Sequence, residues 1–573
     1  MTYRDRKNSN STVPAVARRE NELIYLTKLG LWVTIIVTLT ALSHGLWLAT
    51  AQAAEPEALP GWVHSEALYP DTLGRHGVIL QGSDIGYGSP TIAELDGISQ
   101  NGKEVVVGGT DGRLYVMRSD GSVLWSTLLP NSECGSASVQ KIFSAPAVGD
   151  LYGDGVPHLV VGYGGYGPSY KRLCEGGVIA YRGWDGAVSW NFSTKAFAKL
   201  KKFWAPTHAV ISSPALADTD GDGRLEVGFG ALDRNVYLLN ANGTVRWYYN
   251  AADTVFSSAA FLNVDADSDL EMIIGTDITG NRRIRPATFN GGYLYAFKTK
   301  PVAKQLLRFR TPGAYVWQTW FDQVVQSAPV IADVLPGNPG PEIIVGAGCY
   351  FPERSMQKNG RWIKIVRPAD GAVLQTLLSP VCSSSTVAVG DIDDDGALEI
   401  VATVNGAARL GGDGFGRIVA WDPENPLPKW STIPSSAGFN DSYIGTYQSP
   451  IVADLDGNGS LEVIAANSQG VVVLRGSDGV SLSCNSLFCA GLDLFAWDSL
   501  KSTPAVDDIN LDGKLDLVIG GGNAGLPGRG LLFAWTNFSE VMESPLGLQP
   551  PFAAPWPNLR GQVSNIGHSR STP

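Results

Sequence analysis

Ser213-Pro214-Ala215-Leu216-Ala217-Asp218-Thr219-Asp220-Gly221-Asp222-Gly223-Arg224-Leu225-Glu226-Val227-Gly228-Phe229-Gly230 is the clearest copy of a pattern that runs through most of this 573-residue chain. A Ser/Thr/Ala-Pro-like step opens a short strand, an acidic loop follows, and a near-continuous apolar strand ends in Gly or Ala. In the other copies the first loop ligand falls at Glu94, Asp150, Asn263, Asp333, Asp391, Asp454 and Asp508. A repeat every 45 to 70 residues is the mark of a propeller, solenoid or array.

Outward from the loop, each unit continues in the same order. The apolar runs Glu104-Val105-Val106-Val107-Gly108 and Glu342-Ile343-Ile344-Val345-Gly346 suit strands covered on both faces. A second run follows, as in Leu114-Tyr115-Val116-Met117. Then an Asp-Gly or Asn-Gly turn (Asp120-Gly121, Asp185-Gly186, Asn242-Gly243) leads to a third run holding Trp125, Trp190 or Trp247. With the Ser-Pro segment, each unit has four strands. Eight such units predict an all-β, eight-bladed β-propeller of four-stranded antiparallel blades, with seven blades as the alternative. Closure of the ring needs a strand from one terminus, either Gly77–Gln81 or the tail around Trp556–Arg560, and the sequence leaves both open. Trp125, Trp190, Trp247 and Trp430 recur at one place in the unit and are expected to pack blade on blade.

Five loops place oxygen ligands at alternate positions. Ca²⁺ takes six to eight hard oxygens, and side chains at positions 1, 3, 5 and 9 with a carbonyl at 7 can wrap one ion. Asp218, Asp220, Asp222 and Glu226 with the Arg224 carbonyl meet this, as do Asp391, Asp393, Asp395 and Glu399 with that of Ala397. The other three are Asn263, Asp265, Asp267, Asp269 and Glu271; Asp454, Asp456, Asn458, Ser460 and Glu462; and Asp508, Asn510, Asp512, Lys514 and Asp516. An EF-hand is excluded because position 12 is Phe229, Ala402 or Ala465, inside a strand. In the remaining three loops the ligand pattern is degraded, and no tight metal is expected there.

Composition agrees. Gly is abundant at 67 residues and charged residues make up only 17%. The net charge of −12 comes from the loops, whose side-chain ligand positions 1, 3, 5 and 9 hold seventeen carboxylates. Five bound Ca²⁺ ions would bring it near −2, so the acidity describes metal sites, and nothing points to nucleic acid.

The basic head before Leu29, the apolar stretch to Ala51 and the Ala51-Gln52-Ala53 step read as an export signal over residues 1–53, with an uncleaved membrane anchor as the alternative. Residues 54–82 then form a linker or closing strand, 83–536 the propeller, and 537–573 a tail that is the other route to closure. The expected location is periplasmic, secreted or at the cell surface. Six cysteines follow the leader, and an even number after export favours disulfides. Neighbour pairing would join Cys134 to Cys174, Cys349 to Cys382, and Cys484 to Cys489, among fifteen possible connectivities.

At Asp218 to Glu226 and its copies the chain resembles the FG-GAP and VCBS repeat family, of which the integrin α-subunit propellers are members. The resemblance implies calcium in the acidic loop joining the first two strands of a blade. Units such as Leu114 to Trp125 also resemble the repeat of the eight-bladed quinoprotein (PQQ) dehydrogenases, although the adjacent cysteine pair common there is missing. A third likeness, to eight-bladed calcium-rich polysaccharide lyases, would need a base, for which His208 with Lys201 or Lys202 are the candidates. No catalytic residue is assigned.

If the acidic loops crowd one face, the longest insertions emerge on the other. These are Tyr163 to Gly176, Lys195 to His208, Arg282 to Asn290, Ala314 to Val324, Tyr350 to Trp362, Phe439 to Tyr447 and Ser483 to Trp497. Their aromatic and basic residues Trp204, Arg282, Arg283, Trp317, Trp320, Tyr350 and Tyr443 are the expected contacts for a protein or glycan partner. The sequence thus predicts a non-enzymatic, calcium-stabilised binding or adhesion propeller, with a lyase or quinoprotein enzyme as alternatives.

Overall fold

Eight antiparallel sheets follow one another in chain order and form an eight-bladed β-propeller, not the seven-bladed alternative. The computed structural model describes residues 56–62, 77–81 and most of 85–542. In the first blade the strands are Thr91–Ala93, Glu104–Gly108, Arg113–Met117 and Val123–Leu128, paired in that order. The third repeats this with Ala215–Ala217, Glu226–Gly230, Asn235–Leu239 and Val245–Asn250. First strands of neighbouring blades lie against each other around the axis, including Thr91–Ala93 of the first blade against Ala505–Asp507 of the last.

The Ser/Thr-Pro step holds this inner ring together. The hydroxyl at the step accepts the backbone N–H of the matching residue one blade earlier: Ala145 to Ser213, Ser213 to Ser258, Thr386 to Ser449, Ser449 to Thr503 and Thr503 to Ser89, at 2.9–3.0 Å. Where the step carries Ala145 or Ala328 there is no hydroxyl to accept. One residue earlier, Ser144, Ser212 and Ser502 bond the carbonyl of the Gly five residues into the next strand, Gly162, Gly230 and Gly520. That Gly is sterically required. A Cβ at Gly230 would lie 2.4 Å from Val255 Cγ1, and one at Gly520 2.5 Å from Ile85 Cγ2, in the chain entering the adjacent blade.

The ring is closed by the N-terminal strand. Gly77–Gln81 pairs antiparallel with Arg529–Thr536 as the outer strand of the last blade, and Glu57–Ala58 extends the same edge. Trp556–Arg560 lies outside the described residues. Lys103 of the first blade also meets Asp507 of the last at 2.7 Å.

The recurring tryptophans join the blades by one repeated contact. Trp125 Nε1 donates to Gly183 O at 2.7 Å, Trp190 to Ala241 O at 2.8 Å and Trp430 to Gly476 O at 2.7 Å. Each indole lies on the next blade's turn glycine, Gly186, Gly243 or Gly479, whose φ of +69 to +77° both needs Gly and leaves room for the ring. Two more tryptophans do the same. Trp62, from the N-terminal segment, donates to Ser119 O over Gly121, and Trp317 donates to Pro368 O over Gly371. Trp247 packs on Phe297 instead, and its Nε1 has no partner among the described residues, because the fourth blade has no Asx-Gly turn for it to meet.

Two sequence expectations need correction here. The stretch Ala314 to Val324 is not a long insertion: Tyr315–Phe321 is the fourth strand of the fourth blade. Trp317 on it is 7% exposed and occupied between blades, so it offers no partner contact.

Candidate metal centres

In an antiparallel blade the connection between strands one and two and the turn between strands three and four emerge on the same side. The acidic loops and the Asx-Gly turns therefore share one face of the disc. Adjacent acidic loops are tied by backbone bonds, Leu225 N–H to Leu151 O, Leu270 N–H to Thr219 O and Lys103 N–H to Ile509 O, at 2.8–3.1 Å.

Within a loop the first and last acids have fixed jobs. The position-1 carboxylate curls the loop by accepting backbone N–H groups: Asp218 takes Gly221, Asp222 and Gly223, Asp391 takes Asp395 and Gly396, and Asp508 takes Asp512 and Gly513, at 2.7–3.1 Å. The position-9 acid reaches back to the N–H of position 2. Glu226, Glu271, Glu399, Glu462 and Asp516 do so at 2.9–3.1 Å. That bond holds one oxygen and leaves the other aimed into the loop.

Carboxylate oxygens then converge within 4.8 Å in four of the five predicted loops: Asp218, Asp220 and Asp222; Asp265, Asp267 and Glu271; Asp391, Asp393 and Glu399; and Asp454, Asp456 and Glu462. Asp508, Asp512 and Asp516 of the eighth blade are not among these groups. Asp516 is nonetheless fully buried with its Oδ1 unpartnered. Asp395 and Asp222 stand at the exposed lip, Asp269 pairs with Lys300 at 2.6 Å, and Lys514 bonds Asn537. Ser460 and Asn458 complete the seventh-blade loop, where Asn458 accepts the Ser460 N–H at 2.7 Å.

One cluster was not expected. Glu94, Asp96 and Glu104 in the first blade also converge within 4.8 Å, although the sequence ranked this loop among the degraded ones. Glu104, at the head of the next strand, bonds the Leu95 N–H at 2.8 Å and closes a loop whose longer span hides the pattern. In the second blade His158 replaces the position-9 acid and turns its Nδ1 to Val156 O.

Burial sets the electrostatics. It pushes Glu104, Glu271, Glu399 and Asp516 up to about 7, Asp454 to about 6, and Glu462 to about 9, where Asp456 adds like-charge repulsion. Like charges held this close in a half-buried loop repel by several kcal/mol at an intermediate dielectric. Among the described residues the oxygens Asp220 Oδ1, Asp393 Oδ1, Asp454 Oδ1 and Asp516 Oδ1 have no hydrogen-bond partner. Buried acceptors without donors, gathered as hard carboxylate oxygens, are the ligand set a divalent cation satisfies. These loops can hold metal ions.

The opposite face is described in part. Trp320, 41% exposed, stands near the end of its strand on that face. Trp204, Arg282, Arg283, Tyr350 and Tyr443 lie outside the described residues. His208 is buried, whereas Lys201 and Lys202 are exposed at the end of the helix Thr194–Lys201, so the three do not share one environment. Asp277, on the strand Glu271–Ile278, is pushed up to about 8 by burial, with Gln326 donating to its Oδ2 at 3.0 Å. Cys174 and Cys382 are each disulfide-bonded. Cys134, Cys349 and Cys489 lie outside the described residues, as does the side chain of Cys484, so the expected pairing does too. Among the described residues no helix is long and apolar enough to cross a membrane.

Fold and loops together define an eight-bladed propeller whose acidic loops stand on one face. No protein-family model matches the chain, and no curated protein matches it. Among solved structures it is similar to BamB from Moraxella catarrhalis, at 13% identity over 80% of this chain and 100% of that one, with a TM-score of 0.42. It is also similar to the V. cholerae biofilm matrix protein Bap1, at 13% identity over 84% and 91% of the two chains, with a TM-score of 0.34. A third is the quinohemoprotein alcohol dehydrogenase of Comamonas testosteroni, at 13% identity over 78% and 66%, with a TM-score of 0.36.

Proposed function

We propose that this chain is a calcium-stiffened, extracytoplasmic binding or adhesion propeller of the FG-GAP/VCBS kind, with its protein or glycan partner on the face opposite the acidic loops. The carrying observation is the set of converging carboxylates with orphaned, buried oxygens on a single face. Calcium fits better than a softer metal because every side-chain ligand is a carboxylate or amide oxygen. Each ion would offset the repulsion in its loop, and the bonds between adjacent loops would spread the stiffening around the disc. Disulfide-bonded Cys174 and Cys382 support a location outside the cytoplasm, reached through an export signal or an anchor in residues 1–53.

The partner face is assigned by elimination of the metal face and by the long connections that leave from the other side, with Trp320 as its exposed aromatic. The test exposes the purified chain to a panel of polysaccharides and follows both binding and the ultraviolet absorbance of unsaturated sugar ends. Binding without absorbance, weakened by Trp320→Ala, is the expected result. Rising absorbance would make the protein a lyase, and retention of no polysaccharide would leave a protein partner as the reading to pursue by crosslinking.

A further inference from the structure

The acidic loops do not all face the same charge. In the third blade Arg246 reaches into the loop of its own blade, pairing through Nη2 with Asp220 and through Nη1 with Glu226 Oε1 at 2.7 Å. In the sixth, Lys429 does the same with Asp393 and stands 3.7 Å from Glu399 Oε1, with Asp422 at 2.8 Å behind it. The two residues occupy one register position, immediately before the tryptophans Trp247 and Trp430 of the fourth strand. Both side chains are largely buried, at 12% and 19% exposure.

The seventh-blade loop has the opposite arrangement. Asp454, Asp456 and Glu462 are 1–2% exposed, and among the described residues no lysine or arginine pairs with them. Their charged neighbour from the sixth blade is another acid, Asp394, which Ser460 Oγ meets at 3.0 Å. Asp454 Oδ1 is buried with no partner. The fourth blade lies between. Lys298 and Lys300 approach Asp265 and Asp269 but are 43% and 64% exposed, so solvent screens them and they can swing away.

We infer that Arg246 and Lys429 are resident counter-ions that fill the cation place in the third- and sixth-blade loops, leaving the seventh-blade loop of Asp454, Asp456 and Glu462 as the principal divalent-metal site among the five loops with the sequence pattern. This rests on the calcium reading and narrows it. The guanidinium lies 2.7 Å from Glu226 Oε1, the one Glu226 oxygen that the Thr219 N–H leaves open, so an ion coordinated there at about 2.3–2.6 Å would compete with Arg246 for it and meet its like charge, as it would meet that of Lys429 in the sixth loop. An incoming ion must first displace a buried, paired side chain. The third and sixth loops therefore bind calcium at least about tenfold more weakly than the seventh. The loops with the best spacing in the sequence are then not the best metal sites.

Chelator-treated full-length chain is titrated with calcium chloride by calorimetry, as wild type, Asp454→Asn, Arg246→Met and Lys429→Met. The wild type is expected to take up a tight ion that Asp454→Asn loses, and each Met variant to gain one further tight ion or tighten a weak one at least about tenfold. Calcium binding by the wild type with unchanged number and affinity in both Met variants would overturn the resident-ion inference alone. No binding by any of the four would overturn the calcium reading and this inference with it. Should a Met variant fail to fold in chelator, recovery on adding calcium supports the exchange of side chain for ion, and failure to recover at any calcium concentration counts against it.

Discussion

The third- and seventh-blade loops are built from nearly the same residues and meet opposite electrostatic fates. Asp218, Asp220, Asp222 and Glu226 match the ligand pattern fully, yet Arg246 lies among them. Asp454, Asp456 and Glu462 carry one carboxylate fewer in pattern, yet are more deeply buried and lack an internal cation among the described residues. The pKa directions follow. Both Glu226 and Glu462 are raised by burial, but hydrogen bonds from Thr219 and then Arg246 oppose the rise at Glu226, whereas Asp456, Asp454 and Asp394 add to it at Glu462, which reaches about 9. A ligand pattern counts oxygens; a binding site depends on what else has already neutralised them.

Calcium removal is the largest perturbation of this comparison. With free calcium near one hundred times its Kd, each occupied loop contributes about 2.7 kcal/mol, so chelation should lower the melting temperature by about 3 degrees for every loop it empties, followed by circular dichroism. Loss of the blade joint beside a resident ion comes next. Trp430→Ala removes a nearly buried indole and its bond to Gly476 O and should cost about 3–5 kcal/mol in chemical denaturation, with or without calcium. Because Lys429 adjoins Trp430 in the chain, this variant should also bring calcium sensitivity to the sixth loop.

Neutralising one acid in each loop sharpens the contrast at about 1–3 kcal/mol. Asp454→Asn should destabilise the protein in calcium but leave it as stable as wild type, or more so, in chelator, where it relieves repulsion. Asp220→Asn should destabilise in both, because it removes a partner of Arg246. Equal responses of the two variants in denaturant titrations would erase the distinction. Smallest is a control on the same face. Asp120 accepts the Ser122 N–H at 2.9 Å in the turn that receives Trp62, and its hydrogen bonds to Ser122 lower its pKa. A depressed acid stabilises above its unfolded pKa, about 3.9, and that contribution is lost as pH falls through the lower folded value. Asp120 is exposed, so Asp120→Ala should cost well under 1 kcal/mol at pH 7, less as pH falls through the folded value, and the same amount in calcium and in chelator.

The blades were legible in the sequence because each feature that makes one is local. The Ser-Pro step, the acidic turn, the apolar strand ending in Gly and the Asx-Gly hairpin each lie within a few residues of the next. What escaped depends on partners distant in sequence. Gly77–Gln81 reads as any short apolar strand, and its choice as the closing strand is made by the edge of Arg529–Thr536. The sequence counts Trp317 in an insertion, Ala314 to Val324, since no Asx-Gly turn announces the strand it lies on, yet Gly371 receives it as Gly186 receives Trp125. Trp62 does the same work from outside the repeats. Glu104 was hidden by the lengthened loop it closes, and its bond to the Leu95 N–H, matching that of Glu226 to Thr219, is the signal that places it. Arg246 and Lys429 could be seen only as basic residues, one on an outer strand and one just before it, since the reach of a side chain back across its own blade has no sequence spacing.

The central claim is that a divalent ion completes the acidic face, and native mass spectrometry of the purified full-length chain tests it most directly. The account predicts at least one retained calcium ion, removed by chelator and absent from Asp454→Asn in the same buffer. A wild-type chain that carries no calcium at millimolar supply would contradict it.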